Sequence, residues 1–236
     1  MFYWLMKHWV IGPILMTVFR PWTTGLEHIP RTGAIIVVCN HVSLVDSLFL
    51  PLVIDRQMAF LAKSEYFTGR GLKGWFIRFF MTSAGQLPID RSGGKASEAS
   101  LNAGLKILAE EKVLAIYPEG TRSPDGRMYR GRTGVARVIL EAGTPVIPAA
   151  VIGTEKVMPL GSRFPKVHRV GVAIGEPLDF SRFEGMESDR YVLRSITDEI
   201  IYEMNKLSRQ EYVDVYASTI RKNRDSDRTS GSAPVG

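Results

Sequence analysis

Cysteine is nearly missing from this chain: Cys39 is the only one among 236 residues. Its isolation excludes an intrachain disulfide framework and a cysteine-built zinc site, and makes a reducing compartment the default setting. Histidine is scarce too, and His8, His28, His41 and His168 stand far apart without metal-ligand spacing. The Gly-x-Ser-x-Gly elbow of a serine hydrolase does not occur. Ser92-Gly93-Gly94-Lys95 fails as a nucleotide-binding loop, because Ile89 stands where the first glycine is needed and Ala96 where a Ser or Thr must follow. No internal repeat or long linker divides the chain, and no run of about twenty apolar residues offers a membrane span. The most apolar stretch, Met1 to Phe19, is interrupted by Lys7 and His8 and kinked at Gly12-Pro13. It also lacks the cleavage site of a signal peptide.

What is present is the composition of a single globular domain, with 45% hydrophobic and 23% charged residues. A net charge of +6 favours an acidic partner: a nucleic acid, a phosphorylated small molecule or an anionic lipid surface. Trp4, Trp9 and Trp22 suit an N-terminal helix anchored at headgroup level. A first helix buried against the domain would want the same residues, so both readings stand. The expected organisation is an apolar membrane-interface helix over residues 1–20, one domain over 21–220, and a disordered polar tail over 221–236.

Strands are expected at Thr23 to Ile29, Ala34 to Cys39, Met58 to Ala62, Val113 to Ile116, Pro145 to Ile152 and Val170 to Ile174, with a further short one before Arg91. Helices are expected between them at Leu44 to Ile54, Leu72 to Met81, Lys95 to Glu111 and Thr133 to Ala142. A late helix follows over Ser188 to Ser208, then a shorter one over Gln210 to Ile220. Tyr117 to Gly131 reads as a polar loop. The alternation predicts an α/β fold with a mainly parallel central sheet flanked by helices, whose sites lie beyond the carboxyl ends of the strands. Leu72, Trp75, Phe76, Phe79 and Phe80 recur at helical spacing. That face suits the core, or else an acyl-chain wall or second membrane face.

His41 stands just past the end of the apolar strand, and Asp46 follows five residues later. On an ideal helix five residues separate side chains by about 140°, so the two can meet only if His41 lies in the turn before the helix. Asp46 would then accept from Nδ1, orient the ring and leave Nε2 free as a general base. Lys63, Arg91 and Arg122 each follow a strand, so one sheet rim would gather them around an anion, a phosphate being the natural guest. Asp90 is expected to pair with Arg91, and Glu119 to hold Arg122 or its loop. Cys39 is a rival nucleophile, since strand alternation puts it on the side of residue 41. Ser43, inside the His-Asp block, is badly placed for attack in line with that histidine.

Four blocks occur in order: Asn40-His41-x4-Asp46, Ile89-Asp90-Arg91, Pro118-Glu119-Gly120-Thr121-Arg122, and the apolar strand Val146-Ile147-Pro148-Ala149-Ala150. Over about residues 22 to 180 the chain resembles the family of 1-acylglycerol-3-phosphate and glycerol-phosphate acyltransferases. Tyr117 departs from the phenylalanine usual in that family and keeps the aromatic character. The resemblance implies that His41 is the base and Asp46 its partner, with Arg91, Glu119, Gly120, Thr121 and Arg122, and less directly Lys63, forming the acceptor site. It further implies a glycerol-phosphate-acyltransferase-like fold and acyl transfer from acyl-CoA or acyl-ACP, with no cofactor and no metal. The acceptor would be lysophosphatidic acid or glycerol 3-phosphate, on the cytoplasmic face of the cell membrane. Another lysophospholipid or glycolipid acceptor, and a non-catalytic basic membrane-binding protein, are the competing expectations.

Overall fold

The computed structural model describes residues 2–63, 67–83, 86–89, 96–162 and 164–230. Its centre is a seven-stranded sheet of β1 (Trp22–Thr24), β2 (Ile35–Cys39), β3 (Met58–Lys63), β4 (Gln86–Ile89), β5 (Val113–Ile116), β7 (Val146–Ile152) and β8 (Gly171–Ile174). The spatial order is β1-β8-β7-β2-β5-β3-β4, and every pairing is parallel except β7 with β8. β2 occupies the middle, and all five of its residues are buried. A continuous apolar run serves there because both faces of the strand are covered.

Alternation divides the core in two. Ile36, Val38 and Leu114 point toward α5 (Ala96–Ala109), α6 (Gly134–Ala142) and α8 (Arg190–Ser208). Ile35, Val37, Cys39, Val113, Ala115 and Ile147 point the other way, onto Phe49 and Leu50 of α3 (Asp46–Val53) and onto Leu15 and Phe19 from the N-terminal helix. Burying one such side chain stabilises the fold by about 1.5–3 kcal/mol. The Asp189 carboxylate caps α8, accepting from the backbone N–H groups of Tyr191 and Val192 at 2.8 and 3.1 Å.

Four local expectations are corrected. The segment from Thr23 to Ile29 is strand only as far as Thr24. Gly25 then takes φ 72° and the chain turns into a short 3-10 helix over Leu26–His28. The loop after Tyr117 contains β6 (Met128–Tyr129), which pairs in parallel with β9 (Tyr212–Val213) in the region expected to be helical. That pairing joins residues far apart in the chain, which no local pattern reveals. The polar tail is helical as far as Ser230, within α9 (Ala217–Ser230), and its last six residues lie outside the described ones. Leu72, Trp75 and Phe79 of α4 (Gly71–Ser83) face outward rather than into the core. Leu72 is 87% exposed, and the rings of Trp75 and Phe79 stack at 5.4 Å.

The N-terminal element packs on the domain along one side and leaves apolar residues exposed on the other. It runs as α1 (Phe2–Leu5), a π-helical turn over Met6–Val10 and α2 (Ile11–Phe19). One side packs on the domain through Leu15 and Phe19, and Lys7 Nζ donates to the Ile54 carbonyl at 2.5 Å. The other side leaves Leu5, Trp9, Val10, Ile14, Met16 and Val18 exposed, Trp9 by 79%. Among the described residues, no helix is long and apolar enough to cross a membrane. Gly12 permits the irregular turn, since a Cβ there would sit 1.7 Å from the Lys7 carbonyl oxygen. Gly12→Ala is expected to destabilise the protein by about 1–3 kcal/mol, as overpacking does. Thermal melting of the variant beside the parent checks this, and an unchanged midpoint would mean that the turn relaxes freely.

Candidate active site

The carboxyl ends of β2, β5, β3 and β4 form one rim, because these four neighbours run parallel. Asn40, the first residue beyond β2, continues the sheet with its side chain. Its Oδ1 accepts from Val151 N at 2.8 Å and its Nδ2 donates to Val151 O at 3.1 Å, as a backbone peptide would. The same Nδ2 also donates to Gln210 Oε1 at 2.8 Å. The turn that begins at His41 is thereby tied to β7 and to the C-terminal segment.

His41 lies in that turn and Asp46 is the first residue of α3, the arrangement their spacing requires. The imidazole Nδ1 is 2.9 Å from Asp46 Oδ2. The same oxygen accepts from Val42 N and Ser43 N, each at 2.8 Å, and Oδ1 accepts from Thr154 Oγ1 at 2.5 Å. With the carboxylate as acceptor Nδ1 is the donor, and in the neutral ring Nε2 then carries the free lone pair. Asp46 is wholly buried, whereas the His41 side chain keeps 17% of its surface, so the imidazole can meet a substrate and the carboxylate cannot. Tyr117 stacks on the imidazole with centroids 4.0 Å apart and planes 11° from parallel. The hydroxyl that distinguishes Tyr117 from phenylalanine bonds Ser47 Oγ at 2.9 Å, and burial raises its pKa well above the usual tyrosine value.

The loop after β5 closes on the same histidine. Glu119 Oε1 accepts from His41 N at 3.2 Å, Glu119 Oε2 from Tyr129 N at 3.0 Å, and His41 O from Ser123 N at 2.7 Å. Glu119 was expected among the acceptor-binding residues. It is only 1% exposed, with an oxygen turned to each of these backbone groups, so it clamps the loop to the turn after β2. Desolvation pushes its pKa up to about 8, outweighing the two N–H donors that favour the charged form. Gly120 is exposed at φ 74°, a left-handed conformation that costs a side chain energy. Thr121 and Arg122 are half-buried, and Arg122 has no hydrogen-bond or ion-pair partner among the described residues.

The remaining expectations divide. The Lys63 backbone ends β3 opposite Ile89, on the same rim. The Lys63 side chain is not among those described, and Asp90 and Arg91 lie outside the described residues. Cys39 points into the α3 side of the core, where burial raises its thiol pKa well above the usual range, so it is a poor nucleophile. Ser43 is buried and donates to Met158 O at 2.8 Å.

A model of the Acyltransferase family matches residues 20–152, more than half of the chain. The chain belongs to the Acyltransferase family. It is similar to the chloroplastic 1-acyl-sn-glycerol-3-phosphate acyltransferase LPAT1 of Arabidopsis thaliana, with 30% identity over 67% of this chain and 43% of that one. It is also similar to the 1-acyl-sn-glycerol-3-phosphate acyltransferase of Bacillus subtilis, with 27% identity over 77% of this chain and 86% of that one. The matched region spans less than half the length of the chloroplastic relatives from Arabidopsis thaliana and Brassica napus. Among solved structures, the 1-acyl-sn-glycerophosphate acyltransferase PlsC from Thermotoga maritima superposes with a TM-score of 0.62. It is 25% identical, and the match covers 83% of this chain and 78% of that one.

The family match ends at β7, and two contributors to the site lie beyond it. Thr154, which supplies the short bond to Asp46, follows β7 directly. Its one sequence signal was a hydroxyl just past a strand that neighbours β2. Gln210 is sixty residues beyond any family block and carried no local signal. Glu119 itself yields a pH test. The fold binds its proton more tightly than the unfolded chain does, so Glu119 lowers stability progressively as pH rises from the usual carboxylate range to about 8. Urea midpoints of the parent relative to Glu119→Gln should therefore fall across that window and level off above it. Parallel curves would show that Glu119 titrates normally.

Proposed function

We propose that this chain transfers a fatty acyl group from an acyl thioester to a hydroxyl of lysophosphatidic acid or of glycerol 3-phosphate. The observation that carries the reading is the His41 Nδ1 to Asp46 bond of 2.9 Å at a sheet rim, in a chain of the Acyltransferase family. His41 Nε2 removes the acceptor hydroxyl proton as the oxygen attacks the thioester carbonyl, and Asp46 stabilises the imidazolium that forms. The tetrahedral intermediate then collapses, the C–S bond breaks, and the thiolate leaves with a proton from the imidazolium. No acyl-enzyme is needed, in keeping with the buried positions of Cys39 and Ser43. Arg122, half-buried and without a carboxylate partner among the described residues, receives the acceptor phosphate, with Lys63 and Arg91 as further cations on this reading.

The donor is acyl-CoA or acyl-ACP, with no cofactor. Acyl chains contribute about 0.8 kcal/mol per buried methylene, so both substrates favour a site beside a lipid surface. The exposed apolar side of the N-terminal helix and the outward Leu72, Trp75 and Phe79 of α4 offer such contacts, which supports the reading of a peripheral or monotopic enzyme on the cytoplasmic face of the membrane.

Acyl-transfer assays with thioester donors and phosphorylated and unphosphorylated acceptors test the reading. His41→Ala should lower kcat by about 10² to 10⁴ with the circular dichroism unchanged. Arg122→Ala should chiefly raise the KM of phosphorylated acceptors. Vesicle binding that survives His41→Ala, together with no turnover by the parent protein, would mean that the chain is a non-catalytic membrane binder. In flotation assays with anionic vesicles, Trp9→Ser combined with Ile14→Ser should reduce the bound fraction several-fold. Unaltered flotation would remove the N-terminal helix from the membrane contact.

A further inference from the structure

The C-terminal segment lies outside the residues matched by the family model, yet it folds onto the Pro118 to Arg122 loop. Gln210 Nε2 donates to Gly126 O at 2.5 Å, and β9 adds a strand to β6. Met128 N donates to Glu211 O at 2.9 Å and Arg130 N to Val215 O at 3.1 Å. From α9, Ser218 Oγ accepts from Arg132 Nη2 at 2.9 Å. Arg221 Nη1 donates to Thr121 Oγ1 at 2.6 Å. The C-terminus thus reaches a residue of the acceptor block itself.

The charges around that contact are unbalanced. Among the described residues neither Arg122 nor Arg221 pairs with a carboxylate, and the one partner of Arg221 is a neutral hydroxyl. Glu119, two residues before Thr121, is saturated by backbone N–H groups and faces inward. Among the described side chains, Asp125 pairs with Arg127 and Asp214 lies 3.7 Å from Arg130, so both of these carboxylates are engaged elsewhere. Arg221 is bonded to the residue that precedes Arg122, and an anion received by both guanidinium groups would offset their like charges. A phosphomonoester fits best, since it carries a charge of about −1.5 to −2 near neutral pH, whereas a phosphodiester carries about one negative charge.

We propose that Arg221 is a headgroup-binding residue for the acceptor, fixing Thr121 and presenting a second guanidinium beside Arg122 that selects phosphomonoester over phosphodiester headgroups. The proposal rests on the acyl-transfer reading of this site. Its test uses the full chain and measures acceptor and donor KM and kcat for Arg221→Ala, Arg221→Lys and Ser218→Ala. The acceptors are lysophosphatidic acid and a lysophospholipid with a phosphodiester headgroup.

Arg221→Ala should raise the KM for lysophosphatidic acid about tenfold or more, the loss of one charge-assisted bond. Its kcat and donor KM should stay the same, and the preference for the monoester should shrink. Arg221→Lys should recover part of the effect by keeping the charge. Ser218→Ala removes a tether of α9 without touching the cation and should leave the acceptor KM near the parent's. An equal rise in Ser218→Ala, or a fall in kcat with both KM values disturbed, would show that α9 is only a brace and overturn the proposal. An unchanged acceptor KM in Arg221→Ala would overturn it too. If Arg122→Ala also left that KM unchanged, the acceptor-site reading itself would fall with it.

Discussion

Everything at the rim depends on burying one carboxylate without leaving it unpaired. Asp46 has no exposed surface, and a charge so placed is tolerable only when donors surround it. Two come from the backbone of its own turn, one from the His41 ring and one from Thr154 beyond β7. Satisfying Asp46 therefore specifies the shape of the turn, the tautomer of the histidine and the position of the chain after β7 at once. A carboxylate at the first turn of α3 also meets the favourable end of the helix dipole.

Glu119 repeats the device at the other side of the histidine with a different outcome. Its two oxygens face the backbone N–H groups of His41 and Tyr129, so one side chain holds together the turn after β2, the loop after β5 and the strand β6. Burial desolvates it, and its pKa rises accordingly. The glutamate of the Pro-Glu-Gly-Thr-Arg block thus works from inside the protein, while Thr121 and Arg122 are half-buried. Tyr117 completes the setting as an aromatic floor under the imidazole, fastened through Ser47.

The same economy extends to the exposed apolar surfaces. Apolar residues on the N-terminal helix are shared between the core and the outside, Leu15 and Phe19 inward and Trp9, Ile14 and Val18 outward. A helix apolar on all sides is expected where both of its environments are apolar, and this one has protein on one side and, on the proposed reading, membrane on the other.

The end of β2, the place of His41 before a helix and the parallel character of the sheet were legible in the sequence, because each rests on local pattern. An unbroken apolar run means a strand covered on both faces, and a five-residue spacing forces the histidine off the helix. Tertiary structure alone decided what reaches those residues from afar. Thr154 bonds Asp46 across 108 positions, Gln210 bonds Asn40 across 170, and Arg221 bonds Thr121 across 100. Hydrogen bonds of that kind leave no periodicity behind them, and a polar side chain on a late helix looks solvated until the fold brings its partner. For Glu119 the sequence left two readings, a hold on Arg122 or on its own loop, and only burial between two backbone N–H groups decided for the loop.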